Sequence, residues 1–167
     1  MELKKITYQY EEYASLAELS PADRDLINHA IQASEQTYSP YSSFRVGAAV
    51  RLSHGNIVTG NNQENAAYPS GLCAERVALF YAQSQFPESA VESIAIYAST
   101  EDFTMEKPVT PCGACRQVMA EYEFRHQCKA RIIMANGNGQ VQIVDGIENL
   151  LPLAFYLEEL KKGSFKI

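Results

Sequence analysis

The chain has 167 residues, 46% of them hydrophobic and 20% charged, with a formal net charge of −6. That length suits one domain, spanning 1–167, around one core, and the composition is that of an ordinary globular protein. The acidic balance argues against nucleic acid or an anionic membrane as partner. No apolar run is long enough to span a bilayer, and the opening MELKKITYQYEEY lacks a signal peptide's apolar core, so the sequence reads as cytoplasmic.

Residues 1–19 read as an extension, in which Ile6, Tyr8 and Tyr10 alternate with polar residues and allow a short edge strand. In "SPADRDLINHAIQAS" Ser20 suits an N-cap, Pro21 the first helical position, and Asp23 the acidic half of a capping box. Leu26, Ile27, Ala30 and Ile31 then form one apolar stripe, which predicts a helix. "FRVGAAVRL" (44–52) and "NIVTGNN" (56–62) read as strands joined by a turn at Ser53-His54-Gly55-Asn56. From Cys73 to about Gln85 the pattern is helical. Val77, Ala78, Phe80 and Tyr81 leave it apolar on most sides, which predicts a buried helix ending before Pro87. "SIAIYAS" (93–99) is a strand, and "PCGACRQVMAEYEF" (111–124) a loop entering a helix. "ARIIMA" and "VQIVD" flank Asn136-Gly137-Asn138-Gly139 and predict an antiparallel hairpin. "IENLLP" and "AFYLEELKKG" look helical, with Gly163 as a C-cap. Helices alternating with strands predict an α/β fold: a three-layer α/β/α sandwich around a mixed five-stranded sheet, with a core over 20–157 and a tail over 158–167.

Four cysteines in such a chain suggest metal ligands, reactive thiols or core residues rather than disulfides. Cys112 and Cys115 form C-x-x-C, and Cys73 opens the preceding helix. Cys73 and Cys112 both stand at expected helix starts, where free N–H groups and the positive end of the dipole favour thiolates. Glu75, two residues after Cys73, could reach a metal-bound water without being a ligand. Three other readings compete. Cys128 could complete a closed structural Cys₄ zinc, the C-x-x-C could be a redox pair, or the thiols could simply fill the core. A structural zinc has no use for an acid at Glu75.

Five separated motifs carry a resemblance: "YSPYSSFRVGAAV", "GNNQENAAY", "CAER", "PCGACRQV" and "ENLLP". In order and spacing the chain resembles the small, homotetrameric, zinc-dependent cytidine deaminases, over roughly residues 20–157. The resemblance implies Cys73, Cys112 and Cys115 as ligands of Zn²⁺, with water in the fourth position. It implies Glu75 as the group that moves the water's proton to N3 of the base and then to the departing amine. Three thiolates leave Zn²⁺ formally at −1, and Arg76 would neutralise the sulfurs, where a bland reading makes it a surface ion pair.

By the same resemblance Asn62 and Glu64 hold the ribose hydroxyls, Phe44 packs near the pyrimidine, and the backbone of Ala74 reads the base edge. Phe155 in "LLPLAF" reaches a neighbouring subunit's base pocket. Turn chemistry for Asn62 and Glu64, and core packing for Phe44 and Phe155, are the alternatives. Leu153 stands where the resemblance leads one to expect glycine. No histidine among His29, His54 and His126 matches a ligand position. The implied reaction is hydrolytic deamination of cytidine and deoxycytidine in pyrimidine salvage. A blasticidin S type deaminase and a non-catalytic zinc module are the competing readings.

Overall fold

The computed structural model describes residues 1–156. Six strands form one mixed sheet in the order β1-β6-β5-β4-β2-β3: β1 Glu11–Tyr13, β2 Arg45–Leu52, β3 Ile57–Asn61, β4 Val91–Ser99, β5 Arg131–Asn136 and β6 Val141–Asp145. The helices are α1 Pro21–Ser34, α2 Ala74–Gln85 and α3 Gly113–His126. Among the described strand pairs only β4 and β5 run parallel, joined by the crossover through α3, while β5 and β6 form the expected antiparallel hairpin. Among the described residues no helix is long and apolar enough to cross a membrane.

Alternate strand residues divide the core into two clusters. Ala48, Val50, Ile94, Ile96, Ile132 and Met134 pack with residues of α2 and α3. Ala49, Ala95, Ile133 and Ala135 pack with Leu26, Ile27 and Ala30 of α1. The period of two along each strand produces this division, because successive side chains leave opposite faces. Two glycines let helices lie directly on the sheet. A Cβ on Gly47 would meet Ala30 O at 1.9 Å, and one on Gly60 would meet Ala78 N at 2.6 Å. Gly60 therefore sets how closely the first turns of α2 approach β3.

The sheet has six strands rather than the expected five, because the N-terminal segment adds β1 to the free edge of β6. The strand is Glu11–Tyr13, not the stretch of Ile6, Tyr8 and Tyr10, which are exposed. Polar partners decide its place. Arg131 Nη2 donates to Glu11 Oε2 at 2.9 Å, and Gln142 Nε2 donates to Glu12 Oε1 at 3.1 Å. Pairing there also covers an edge that would otherwise be free to recruit another strand.

Ser20 caps α1 as expected, its Oγ accepting from Asp23 N at 3.1 Å. The Asp23 carboxylate turns instead to Arg131, 3.4 Å away. α2 is not buried all round: Ala74, Ala78, Leu79 and Ala82 face inward, whereas Phe80 and Tyr81 are exposed. The expected helix at "IENLLP" is a single 3-10 turn, Ile147–Asn149. Pro152 disfavours helix at the residue before it, and Leu153 follows at φ 58, in the left-handed region. Ala154 to Tyr156 are not helical. The rest of the expected final helix, its Gly163 cap and the 158–167 tail lie outside the described residues.

Candidate active site

Two helix N-termini meet at the cysteines. Cys73 is the N-cap of α2 and Cys112 that of α3, and neither thiol is used in capping. Cys115 lies one turn into α3 and is fully buried. The three sulfurs all lie within 4.8 Å of one another, with Cys73 and Cys112 at 3.9 Å and Cys112 and Cys115 at 3.4 Å. A tetrahedral zinc with bonds of about 2.3 Å holds its sulfurs about 3.8 Å apart. The donor set and its spacing therefore fit that ion. Cys128 stands apart, its sulfur 3.7 Å from Lys129 O.

The site's electrostatics favour thiolate at Cys73. Cys73 is pulled down to about 5, first by the Cys115 S–H that donates to it and further by the Arg76 guanidinium, with burial acting the other way. The same pair pushes Cys115 up. Arg76 Nη2 is 3.8 Å from Cys73 Sγ, and the contact raises the arginine's own pKa, so it stays charged. Arg76 Nε is buried without a hydrogen-bond partner among the described residues. An orphaned cationic donor beside a sulfur cluster is what a site of net negative charge would satisfy.

Glu75 is 5% exposed. Burial raises its pKa, and the negative charge at Cys73 adds to the rise. A carboxyl in this setting holds and releases a proton closer to neutrality than a surface glutamate does. Ala74, between Cys73 and Glu75, is fully buried in the first turn of α2.

Beside Cys73 opens a cavity of about 550 Å³, lined by Tyr41, Asn62, Glu64, Tyr68, Cys73 and Arg76 among others. Backbone pairing ties several of its lining residues together. Gln63 pairs in both directions with Leu72, while Tyr38 N donates to Asn62 O and Glu64 N to Tyr38 O. These bonds bring residues 62–64 against the segment that leads into Cys73. Glu64 accepts from Tyr41 N at 2.8 Å, from Ser42 N at 3.3 Å and from the Ser42 hydroxyl. The Ser42 hydroxyl above all holds its pKa below the usual value. Asn62 bridges the start of β2, with Oδ1 accepting from Val46 N at 2.8 Å and Nδ2 donating to Phe44 O at 3.0 Å. One N–H and one lone pair of its amide remain for a ligand. The Phe44 ring stacks on Phe103, with centroids 6.4 Å apart and planes 15° from parallel.

The structure thus gathers Cys73, Ala74, Glu75, Arg76, Cys112 and Cys115 at one point, with Asn62 and Glu64 in the adjoining cavity. Phe155 is 53% exposed, with its carbonyl fixed by Gln117 Nε2 at 2.7 Å. Sequence reasoning missed the clamp formed by Arg116. Its guanidinium donates to Pro111 O at 2.7 Å, Leu150 O at 2.6 Å and Thr110 Oγ1 at 2.9 Å. It ties the loop before Cys112 to the segment that leads to Phe155. Its only signal was its place directly after Cys115, which cannot be told from an ordinary surface charge.

Fold and site define an α/β protein in which three cysteines gathered at paired helix N-termini could hold a metal ion. Residues 20–130 match the family described as the cytidine and deoxycytidylate deaminase zinc-binding region, and the chain belongs to that family. It is 44% identical over 137 residues to the cytidine deaminase of Halalkalibacterium halodurans, covering 81% of this chain and 95% of that one. It is 42% identical over 137 residues to that of Sporosarcina psychrophila, covering 81% and 92%. The crystal structure of the Burkholderia pseudomallei cytidine deaminase superposes with a TM-score of 0.70 at 36% identity, over 82% of this chain and all of that one.

Proposed function

We infer that the chain is an enzyme, a hydrolase that deaminates cytidine and deoxycytidine to uridine and deoxyuridine and so serves pyrimidine salvage. The observation that carries this reading is the buried Glu75 carboxyl, two residues beyond a thiol that shares a zinc-sized cluster with two others. Zn²⁺ held by Cys73, Cys112 and Cys115 supplies, when bound, a Lewis acid that acidifies water. Glu75 takes a proton from the attacking water and delivers it to N3 of the base while the oxygen adds at C4. It then moves the remaining hydroxyl proton to the amino group. The C4–N bond breaks, ammonia leaves, and a carbonyl forms at C4. Burial of Glu75 suits one carboxyl to act first as base and then as acid.

In the proposed binding mode Asn62 and Glu64 face the ribose hydroxyls, Phe44 walls the pyrimidine, the Ala74 backbone meets the base edge and Arg76 offsets the sulfur charge. The Glu64 carboxylate, kept ionised by three donors, suits a diol as hydrogen-bond donor. The assembly is a homotetramer in which Phe155 enters a neighbour's base pocket. Exposure of Phe155, and of Phe80 and Tyr81 on α2, supports that reading. The two core clusters support a three-layer arrangement, with α1 on one side of the sheet and α2 and α3 on the other, and the proposed setting is a single domain in the cytoplasm.

The test is zinc analysis together with an absorbance assay on cytidine. One zinc per chain, loss of cytidine and matching release of ammonia are expected, with four chains in sedimentation. Glu75→Gln should keep its zinc and lose at least about 10²–10⁴-fold in kcat. Zinc-loaded protein that leaves cytidine unchanged would overturn the activity, and near-normal turnover by Glu75→Gln would overturn the mechanism.

A further inference from the structure

The loop between β4 and α3 ends at Cys112, yet its first half lines a cavity that none of the thiols lines. There Ser99 to Met105, with Gly137 and Asn138, line a separate cavity of about 430 Å³. The loop is fastened at one point to the β5–β6 turn. Asn136 Nδ2 and Asn138 Nδ2 both donate to Met105 O, at 3.1 and 2.9 Å. Asn136 is itself held, because its Oδ1 accepts from Asn138 N and Gln140 N, each at 3.1 Å. Two residues before that anchor stands Phe103, 59% exposed, with its ring stacked on Phe44.

An exposed phenylalanine on a pinned loop contributes little to the core. What it does contribute is a flat face for Phe44. Phe44 in turn is wired to the rim of the cavity beside Cys73. Its N donates to Ser42 Oγ at 3.1 Å and its carbonyl accepts from Asn62 Nδ2, and both Ser42 and Asn62 line that cavity. The backbone of Phe44 is therefore fixed from the substrate side and its ring from the loop side.

We propose that Phe103 is a positioning residue for substrate binding: it backs Phe44 and sets the plane of the aromatic wall that meets the pyrimidine. The proposal rests on the deaminase reading, in which Phe44 walls the base. A stacked aromatic pair restricts both rings, and a base meeting a pre-set ring loses less on binding than one that must order it. The effect falls on the Michaelis complex and not on the proton transfers, since Phe103 belongs neither to the cysteine cluster nor to the cavity beside it.

The experiment is steady-state kinetics with cytidine on the zinc-loaded full chain. Phe103→Ala should raise KM about threefold to tenfold and leave kcat within about twofold. Phe103→Tyr, which keeps the ring, should restore the native KM. Asn138→Ala, which loosens the loop without touching either ring, should raise KM in the same direction by less. In Phe44→Ala, further loss of Phe103 should change nothing, because the ring it supports is gone. An unchanged KM in Phe103→Ala, or a Phe103 effect that persists in full without Phe44, overturns the proposal while cytidine turnover stands. Native protein that does not deaminate cytidine removes the activity reading itself, and this proposal with it. Exposure of the side chain makes a folding defect in Phe103→Ala unexpected, and Asn138→Ala supplies an independent measurement on the same loop.

Discussion

Arg76 Nη2 lies 3.8 Å from the sulfur of Cys73, three residues earlier at the N-cap of α2, while its Nε is buried with no partner among the described residues. A guanidinium half-satisfied in this way is costly to keep unless charge gathers beside it. Three thiolates around a bound metal would provide that charge, and the N-termini of α2 and α3 would add partial positive charge.

Arg76→Gln should therefore lower kcat/KM by about tenfold to a hundredfold, the usual range for losing a hydrogen bond to a charged group, with the melting temperature little changed. Adding Cys73→His removes one negative charge from the ligand set and should recover part of that loss. Zinc content and kinetics of the single and double variants decide the matter. Equal zinc retention and turnover in Arg76→Gln would reduce the arginine to a surface charge.

A closed Cys₄ centre would require Cys128, whose sulfur contacts the carbonyl of Lys129 and is absent from the thiol cluster. Cys128→Ser should keep one zinc per chain and native turnover. Loss of the metal from that variant would mean that the fourth position is a thiol, and with it the open coordination that hydrolysis needs would be gone.

The parts legible in the sequence are those decided by neighbours in the chain. Ser20-Pro21 marked a helix start, Asn136-Gly137-Asn138-Gly139 a hairpin, and Cys73 and Cys112 helix N-termini, because caps and turns are local chemistry. The sixth strand was not legible at Glu11–Tyr13, since its partners Arg131 and Gln142 lie more than a hundred residues away. The outward turn of Phe80 and Tyr81 was missed because apolar residues on most sides of a helix do not reveal which face meets the sheet. Gly60 fixes that face through contact with the α2 backbone, which has no signature in the sequence. Arg116 was missed for a related reason: two of its three acceptors are backbone carbonyls, which any residue offers.

Leu153 offers a test of local strain beside the segment that carries Phe155. Its φ of 58 is one that leucine disfavours by about 1–2 kcal/mol, and glycine adopts it freely. Its side chain is 91% exposed, so truncation loses little packing within the subunit. Glycine gives back about 0.4–1 kcal/mol through the greater freedom of the unfolded chain. The net expectation is a stabilisation of roughly 0.5–1 kcal/mol, or about 1–4 °C in Tm for a chain of this size. Leu153→Ala is the control, because it removes the same side chain but keeps the Cβ that makes the conformation unfavourable. Scanning calorimetry should rank Leu153→Gly above the native protein, with Leu153→Ala close to native. Should both variants melt lower by a similar amount, the side chain must be buried against another subunit, and its packing there would outweigh the backbone strain. Sedimentation of the two variants separates these outcomes: strain relief leaves the assembly unchanged, whereas loss of a subunit contact shifts it toward smaller species.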